Sequence, residues 1–148
     1  MPTSTRFAVA VHVLTALAVS GDKPQRSEDL AYSANTGAVV IRGLLSRLGD
    51  AGLTRSQLGA GGGALLAKRP QEIRLLDVYQ AVEDTELFSL HRTPPCENCA
   101  VGGNILEAIR PILSRARNAL EKELAQATIA DPAAEVARLG KFSIPLTW

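Results

Sequence analysis

A glycine-rich run at residues 59–63 constrains the fold of this sequence more than any other feature, because it favours a tight reversal of the chain. Glycine adopts backbone conformations that are closed to other residues, so such a run supports a sharp turn. The segments on either side, residues 54–58 and 64–68, have the length of short strands, and Pro70 closes the second one. The pattern predicts a small β-hairpin with a glycine-rich tip.

Three helical segments precede this hairpin. Residues 5–19 are rich in Ala and Leu and contain neither Gly nor Pro, so they predict a first helix. Ser27 is a good N-cap for a short second helix over residues 28–33, and Thr36 for a third over residues 38–48. Helix, short helix, turn, helix and hairpin follow one another as in a winged helix-turn-helix. The predicted fold class is therefore mainly α with a small β-hairpin.

A long amphipathic helix is predicted in the second half of the chain. A helix over residues 76–83 and a loop over residues 90–103, which contains prolines and both cysteines, lead to it. From about Asn104 to Thr128, apolar side chains recur three or four residues apart, at Leu106, Ile109, Leu113, Ala116, Leu120 and Leu124. A stripe of this length favours pairing with a second helix, so we expect a dimerisation helix.

The predicted organisation has three parts. Asp131 and Pro132 are expected to end the long helix, with one further helical turn over residues 134–139 and an extended tail from Phe142 to Trp148. We divide the chain into a winged helix-turn-helix at residues 1–85, a cysteine-containing loop at 86–103, and the long helix with its tail at 104–148.

The start of the third predicted helix has the composition that approach to DNA requires. Its residues are small, and backbone amides at a helix N-terminus together with the Thr36 hydroxyl can contact phosphate. Arg42 lies on the face opposite the apolar residues, and the first strand of the hairpin carries hydrogen-bond donors. The predicted DNA-binding residues are Thr36, Gly37, Ala38, Val39, Arg42, Arg55, Ser56, Gln57 and Gly59. The alternative for each arginine is an ordinary solvated side chain.

The charge distribution agrees with a polyanionic partner for the first half. The net charge of +1 conceals an asymmetry, since residues 1–74 carry nine basic and five acidic side chains, whereas residues 75–148 carry seven and ten. The first half therefore has a net charge of +4 and the second of −3. A basic half is expected to be the part that meets nucleic acid.

Other function classes lack their motifs. The apolar stretch from Phe7 to Val19 is shorter than the roughly 20 residues of a membrane span, and a single Arg6 before it does not make a secretory signal. The glycine run lacks the Lys-Ser ending of a phosphate-binding loop, and the Cys-Glu-Asn-Cys motif lacks the strand that precedes it in thioredoxin-like enzymes. We expect a cytoplasmic protein that is not an enzyme and does not contact a membrane.

Three segments together resemble one family. They are TRFAVAVHVLTALA (residues 5–18), LLSRLGDAGLTRSQLGAGGGALLAKRPQEIRLLDVYQAVE (44–83) and CAVGGNI (99–105). In order and spacing they resemble the Rrf2 family of bacterial winged-helix transcription regulators, over about residues 3–128. The resemblance implies a homodimer joined through the long C-terminal helix, in which each subunit offers a recognition helix and a wing to a palindromic operator. It also implies repression of transcription.

The wing departs from the family pattern. Many members have SxRGxxGGY there, whereas this chain has Leu58 in place of the usual arginine and Ala64 in place of the aromatic residue. Gly61 stands where a lysine is frequent. Less positive charge means fewer phosphate contacts and a greater dependence on Arg55. The competing hypothesis is a dimeric metal- or effector-binding protein that has weakened or lost its DNA binding.

Cys96 and Cys99 form a candidate sensor, for which three interpretations stay open. Cluster-binding relatives have three cysteines in this loop, and an iron–sulfur cluster usually takes four ligands, so two cysteines disfavour a cluster. One interpretation is a pair of redox-active thiols, since a following helix N-terminus lowers a thiol pKa. Another is a metal site formed with His91, Glu97 or a residue of a second subunit. The third is that both cysteines are structural bystanders in a loop that binds a small-molecule effector.

Overall fold

The computed structural model describes residues 4–84 and 86–145 and confirms the predicted fold class. The described elements are helices α1 (Arg6–Ser20), α2 (Ser27–Ala34) and α3 (Ala38–Asp50), strands β1 (Thr54–Gln57) and β2 (Gly63–Leu66), a short 3-10 helix (Pro70–Glu72), and helices α4 (Leu75–Val82), α5 (Ile105–Gln126) and α6 (Ala130–Gly140). None of the described helices is long and apolar enough to cross a membrane.

The predicted hairpin is present and has a third partner that the sequence did not predict. β1 and β2 pair antiparallel, with Thr54 opposite Leu66 and Gln57 opposite Gly63. Gln25, in the turn after α1, exchanges both backbone hydrogen bonds with Ala64, at N–O distances of 3.0 and 2.8 Å. This bridge ties the wing to the segment that leads into α2.

Helices α1, α3 and α4 surround an aliphatic core. The largest fully buried side chains include Leu14, Leu17, Ile41, Leu48 and Ile73. Each such side chain stabilises the fold by about 1.5–3 kcal/mol relative to an exposed position. Since α3 contributes Ile41, Leu44 and Leu48 to this core, its orientation is fixed by packing.

The chain after α5 contains more helix than predicted. Asp131 and Pro132, expected as helix terminators, lie in the first turn of α6 instead, where Pro fits because the backbone N–H has no helical partner there. The Asp131 carboxylate accepts a hydrogen bond from the Thr128 backbone N–H at 2.8 Å. Between α5 and α6, residues 127–129 pair through backbone hydrogen bonds with residues 73–75 at the start of α4. The Leu75 N–H donates to the Ala127 carbonyl, and the Ile129 N–H donates to the Ile73 carbonyl.

The chain forms two compact units. One comprises Met1–Glu83 and Ala125–Trp148, and the other Asp84–Leu124. The first contains the winged helix-turn-helix and α6, and the second the cysteine-containing loop and most of α5. The three-part division proposed from the sequence stays a prediction, and residues 146–148 of its predicted tail lie outside the described residues.

Candidate nucleic-acid interface

The turn between α2 and α3 sets the direction of the recognition helix. Asn35 ends α2 in a left-handed conformation (φ 50°, ψ 52°), which asparagine tolerates. The Thr36 backbone N–H then donates to the Ala31 carbonyl at 3.0 Å, so Thr36 caps the C-terminal end of α2 from the following turn. The N-cap of α3 is Gly37, without a side-chain cap, so the prediction of Thr36 as the cap was wrong by one residue.

Helix α3 has one buried and one exposed face. Ile41, Leu44 and Leu48 are buried in the core. Val39, which is 78% exposed, and Arg42 and Gly43 lie on the outer face. Of the other predicted residues at its start, Gly37 is exposed, whereas Thr36 and Ala38 are partly buried. The outer face therefore combines small and apolar side chains with one arginine.

A groove between α3 and β1 brings several predicted residues together. Arg42, Arg55 and Ser56 line it, together with residues that were not predicted to bind DNA, among them Ser27, Ser46 and Asp50. Ser46 follows Arg42 by one helical turn, so helical spacing alone was sufficient to identify it. The groove places arginines from two different elements, Arg42 of α3 and Arg55 of β1, on one surface.

Arg42 is held by a carboxylate. Its Nη2 donates to Glu28 Oε1 at 2.7 Å, and the two side chains are 55% and 56% exposed. The pKa of the Glu28 carboxyl is lowered, mainly because the carboxylate accepts a hydrogen bond from the backbone N–H of Glu28 itself. Desolvation opposes this shift, and the positive charge of Arg42 adds to it. Glu28 is therefore ionised at neutral pH. Sequence reasoning placed Glu28 only at the start of α2, because a contact across 14 residues leaves no local signal.

The wing tip is fixed by close backbone contacts. Arg55, Ser56 and Gln57 on β1 are exposed, as is Gly59, whose φ of +90° suits glycine. At Gly62 a β-carbon would lie 2.1 Å from the Gln57 carbonyl oxygen, so only glycine fits there. Gln57 and Gly59 lie at the tip, outside the groove formed by Arg42 and Arg55.

The cysteine-containing loop is a compact turn that continues into α5. Cys96 and Cys99 are exposed free thiols. The Gly102 backbone N–H donates to Cys99 Sγ at 3.0 Å. The pKa of Cys99 is lowered, first by this hydrogen bond and next by one from the Val101 N–H. Desolvation opposes the shift, and a hydrogen bond from the Cys96 thiol adds a smaller lowering effect. The arrangement stabilises the Cys99 thiolate, which is the reactive form of cysteine.

Comparison with known proteins decides the family. The Rrf2 family model, described as that of an iron-dependent transcriptional regulator, matches residues 3–135. YwnA of Bacillus subtilis (strain 168), named as a candidate HTH-type transcriptional regulator, is 39% identical over 129 residues, which are 86% of this chain and 94% of YwnA. The chain belongs to the Rrf2 family.

Solved structures agree with this Rrf2 assignment. A crystal structure described as that of a candidate DNA-binding protein has a TM-score of 0.69 at 36% identity and covers 85% of this chain and 97% of its own. A crystal structure of a candidate transcriptional regulator from Lactobacillus plantarum has a TM-score of 0.78 at 28% identity and covers 92% of each chain. This Rrf2 protein is therefore a DNA-binding transcription regulator and not an enzyme.

The iron in the Rrf2 description does not fit the residues of a single chain. Within residues 4–84 and 86–145, no three His, Cys, Asp or Glu side chains lie close enough together to hold a metal ion. Two adjacent thiols fall short of the four ligands of an ordinary iron–sulfur cluster. Metal binding by His91, Cys96 and Cys99 thus stays a prediction.

Proposed function

We propose that this Rrf2 protein represses transcription by binding a palindromic operator as a homodimer. The observation that carries the proposal is the exposure of Val39, Arg42 and Gly43 on a helix whose opposite face is locked into the core. A rigid helix with an accessible face beside a wing is the arrangement that fits the major groove. A dimer bound to a promoter blocks polymerase, which is the reason for proposing repression. A transcription regulator acts where the DNA is, so we also propose a cytoplasmic site of action.

Each exposed group has a chemical counterpart on DNA. A valine such as Val39 makes apolar contact with a thymine methyl group, and an arginine such as Arg42 binds guanine O6 and N7 in the major groove. Gly43 has nothing within 4 Å of the place where a β-carbon would lie, so the helix backbone can approach the bases there. Arg55, Ser56 and Gln57 are placed to contact phosphates or the minor groove.

The homodimer is proposed because α5 leaves its apolar side chains incompletely buried within the single chain. This helix has 22 residues, and none of its side chains is buried. Its apolar stripe, which includes Leu106, Ile109, Leu113 and Leu120, is only partly covered. Pairing with the same helix of a second copy buries the stripe and creates a two-fold axis. Two recognition helices related by that axis match half-sites about 34 Å apart.

We infer that oxidation of Cys96 and Cys99 regulates this dimer. The Cys99 thiolate attacks a peroxide, the O–O bond breaks, and hydroxide leaves while a sulfenic acid forms. The Cys96 thiol then displaces water from that sulfenic acid to give a disulfide. The turn concerned continues into α5 through hydrogen bonds from Gly103 N–H to Cys99 and from Ile105 N–H to Val101. A disulfide that alters the turn therefore alters the start of the dimerisation helix.

DNA binding is tested by electrophoretic mobility shift with duplexes selected from a random library. We expect the wild-type protein to select an inverted repeat and Arg42→Ala and Arg55→Ala each to weaken its binding. If neither change weakens binding, the proposed surface is wrong. No selection of any duplex by the wild type would favour the competing hypothesis of an effector-binding dimer, which the exposed Leu58 at the usual arginine position supports.

The dimer is tested separately by light scattering. Leu113→Glu places a charge in the apolar stripe, so we expect a monomer and weakened operator binding. Arg115→Glu introduces the same side chain at an exposed position of α5 and serves as the control. A Leu113→Glu protein that stays dimeric would refute the assigned interface.

A further inference from the structure

The ion pair between Glu28 and Arg42 connects the two helices of the helix-turn-helix. Glu28 lies in the first turn of α2, and Arg42 lies on the outer face of α3. Their contact at 2.7 Å is made at the surface, with more than half of each side chain exposed. Such exposed ion pairs contribute little to stability, so the fold does not depend on it. Its position at the groove suggests a role in binding.

The contact restrains the guanidinium of Arg42 and leaves most of its N–H donors available. Arg42 donates one hydrogen bond to Glu28, whereas a guanidinium has five N–H donors in a planar fork. The remaining donors can still bind a pair of acceptors such as guanine O6 and N7. Because one end of the fork is anchored, less side-chain freedom is lost when the other end binds a base.

The same carboxylate discriminates between base edges and phosphates. A phosphate beside Arg42 would bring a negative charge close to the ionised Glu28, and like charges repel. The acceptor atoms of guanine are neutral and meet a weaker opposing field. Glu28 therefore disfavours use of Arg42 as a simple phosphate contact, which is the sequence-independent mode of binding.

We propose that Glu28 is a specificity-determining positioning residue, which anchors Arg42 for a base and opposes its use on phosphate. The inference rests on the proposed operator binding. Removal of the carboxylate charge frees Arg42 for phosphates, so non-specific binding strengthens while operator binding gains less or falls. The ratio of the two affinities is the quantity that Glu28 maintains.

The test compares Glu28→Gln with Asp29→Asn. Asp29 is the next residue on α2 and also loses one negative charge, but its carboxylate contacts Arg26 at 3.4 Å and not Arg42. Affinities are measured by fluorescence anisotropy for the duplex selected by the wild type and for a random duplex of equal length. Circular dichroism verifies that both variants are folded.

For Glu28→Gln we expect a specificity ratio lower by about tenfold, within the range of roughly 5–150-fold that one bidentate base contact provides. The logarithmic salt slope of random-duplex binding should steepen by about 1.8 in a dimer, because each freed arginine adds one phosphate contact. Asp29→Asn should leave the ratio unchanged. In the Arg42→Ala background, Glu28→Gln should have no further effect on the ratio.

The failure of this inference differs from the failure of the proposed function. A wild-type protein that selects an operator, together with an unchanged ratio and slope in Glu28→Gln, overturns the role of Glu28 alone. Equal changes in Glu28→Gln and Asp29→Asn also overturn it, since they would indicate a general charge effect. A wild-type protein that selects no duplex refutes operator binding and this inference with it.

Discussion

Arg55 is the residue on which wing binding should depend most. Leu58 is 91% exposed at the position where many relatives have arginine, so β1 offers Arg55 as its cation. The proposed homodimer carries two copies of Arg55, so Arg55→Ala should remove two phosphate contacts. At a slope of about 0.9 per contact, the plot of log affinity against log salt should flatten by about 1.8. Between 50 and 200 mM salt, the wild type should then lose about 12-fold more affinity than the variant.

The assay is a salt titration of operator binding by fluorescence anisotropy. Arg138→Ala is the matched control, because Arg138 is an exposed arginine on α6 that pairs with Glu135, outside the groove formed by Arg42 and Arg55. We expect the slope of this control to equal that of the wild type. An Arg55→Ala slope within experimental error of the wild type would show that the wing makes no phosphate contact through Arg55.

Three further predictions concern the wing tip and the cysteine-containing loop. Gly62→Ala should weaken operator binding with little change in thermal unfolding, because its β-carbon would lie 2.1 Å from the carbonyl oxygen of Gln57, an exposed residue at the wing tip. Because the pKa of Cys99 is lowered, its thiolate forms at a lower pH than that of an ordinary cysteine. In a Cys96→Ser variant, the rate of alkylation by iodoacetamide should therefore reach half its plateau at a lower pH than in an unstructured peptide of the same local sequence. Gly102→Ala should move that midpoint up towards the peptide value, since its β-carbon would lie 2.2 Å from the Cys96 carbonyl oxygen and displace the N–H that bonds Cys99.

Local patterns were sufficient to predict most elements of this fold. Helix α3 follows from apolar residues at helical spacing, and the hairpin follows from short strands around glycines. The extent of α6 was not predicted because Asp and Pro occur both just after the end of a helix and in its first turn. A single sequence does not show which of these positions they occupy. The deciding interaction, a backbone pairing of residues 73–75 with 127–129, joins segments more than 50 residues apart.

The candidate interface was predictable one residue at a time but not as an arrangement. The spacing of apolar residues on α3 was sufficient to place Arg42 on the outer face. That Glu28 holds this arginine, and that Arg55 lies along the same groove, depends on how α2, α3 and β1 pack. Packing of this kind arises from the shared core, so sequence patterns confined to one element do not contain it.

The unit formed by residues 84–124 connects the proposed dimer to the proposed signal. None of its described side chains is buried, so it has no core that would hold its order. Helices with little tertiary packing are marginal in water, so in the proposed homodimer the second chain stabilises α5. Dimerisation and the order of the adjoining Cys96–Cys99 turn are then linked equilibria, in which a change that disfavours one disfavours the other. Because two joined half-site contacts bind far more tightly than one, a monomer released by the proposed oxidation binds the proposed operator weakly, and operator occupancy falls with the concentration of the dimer.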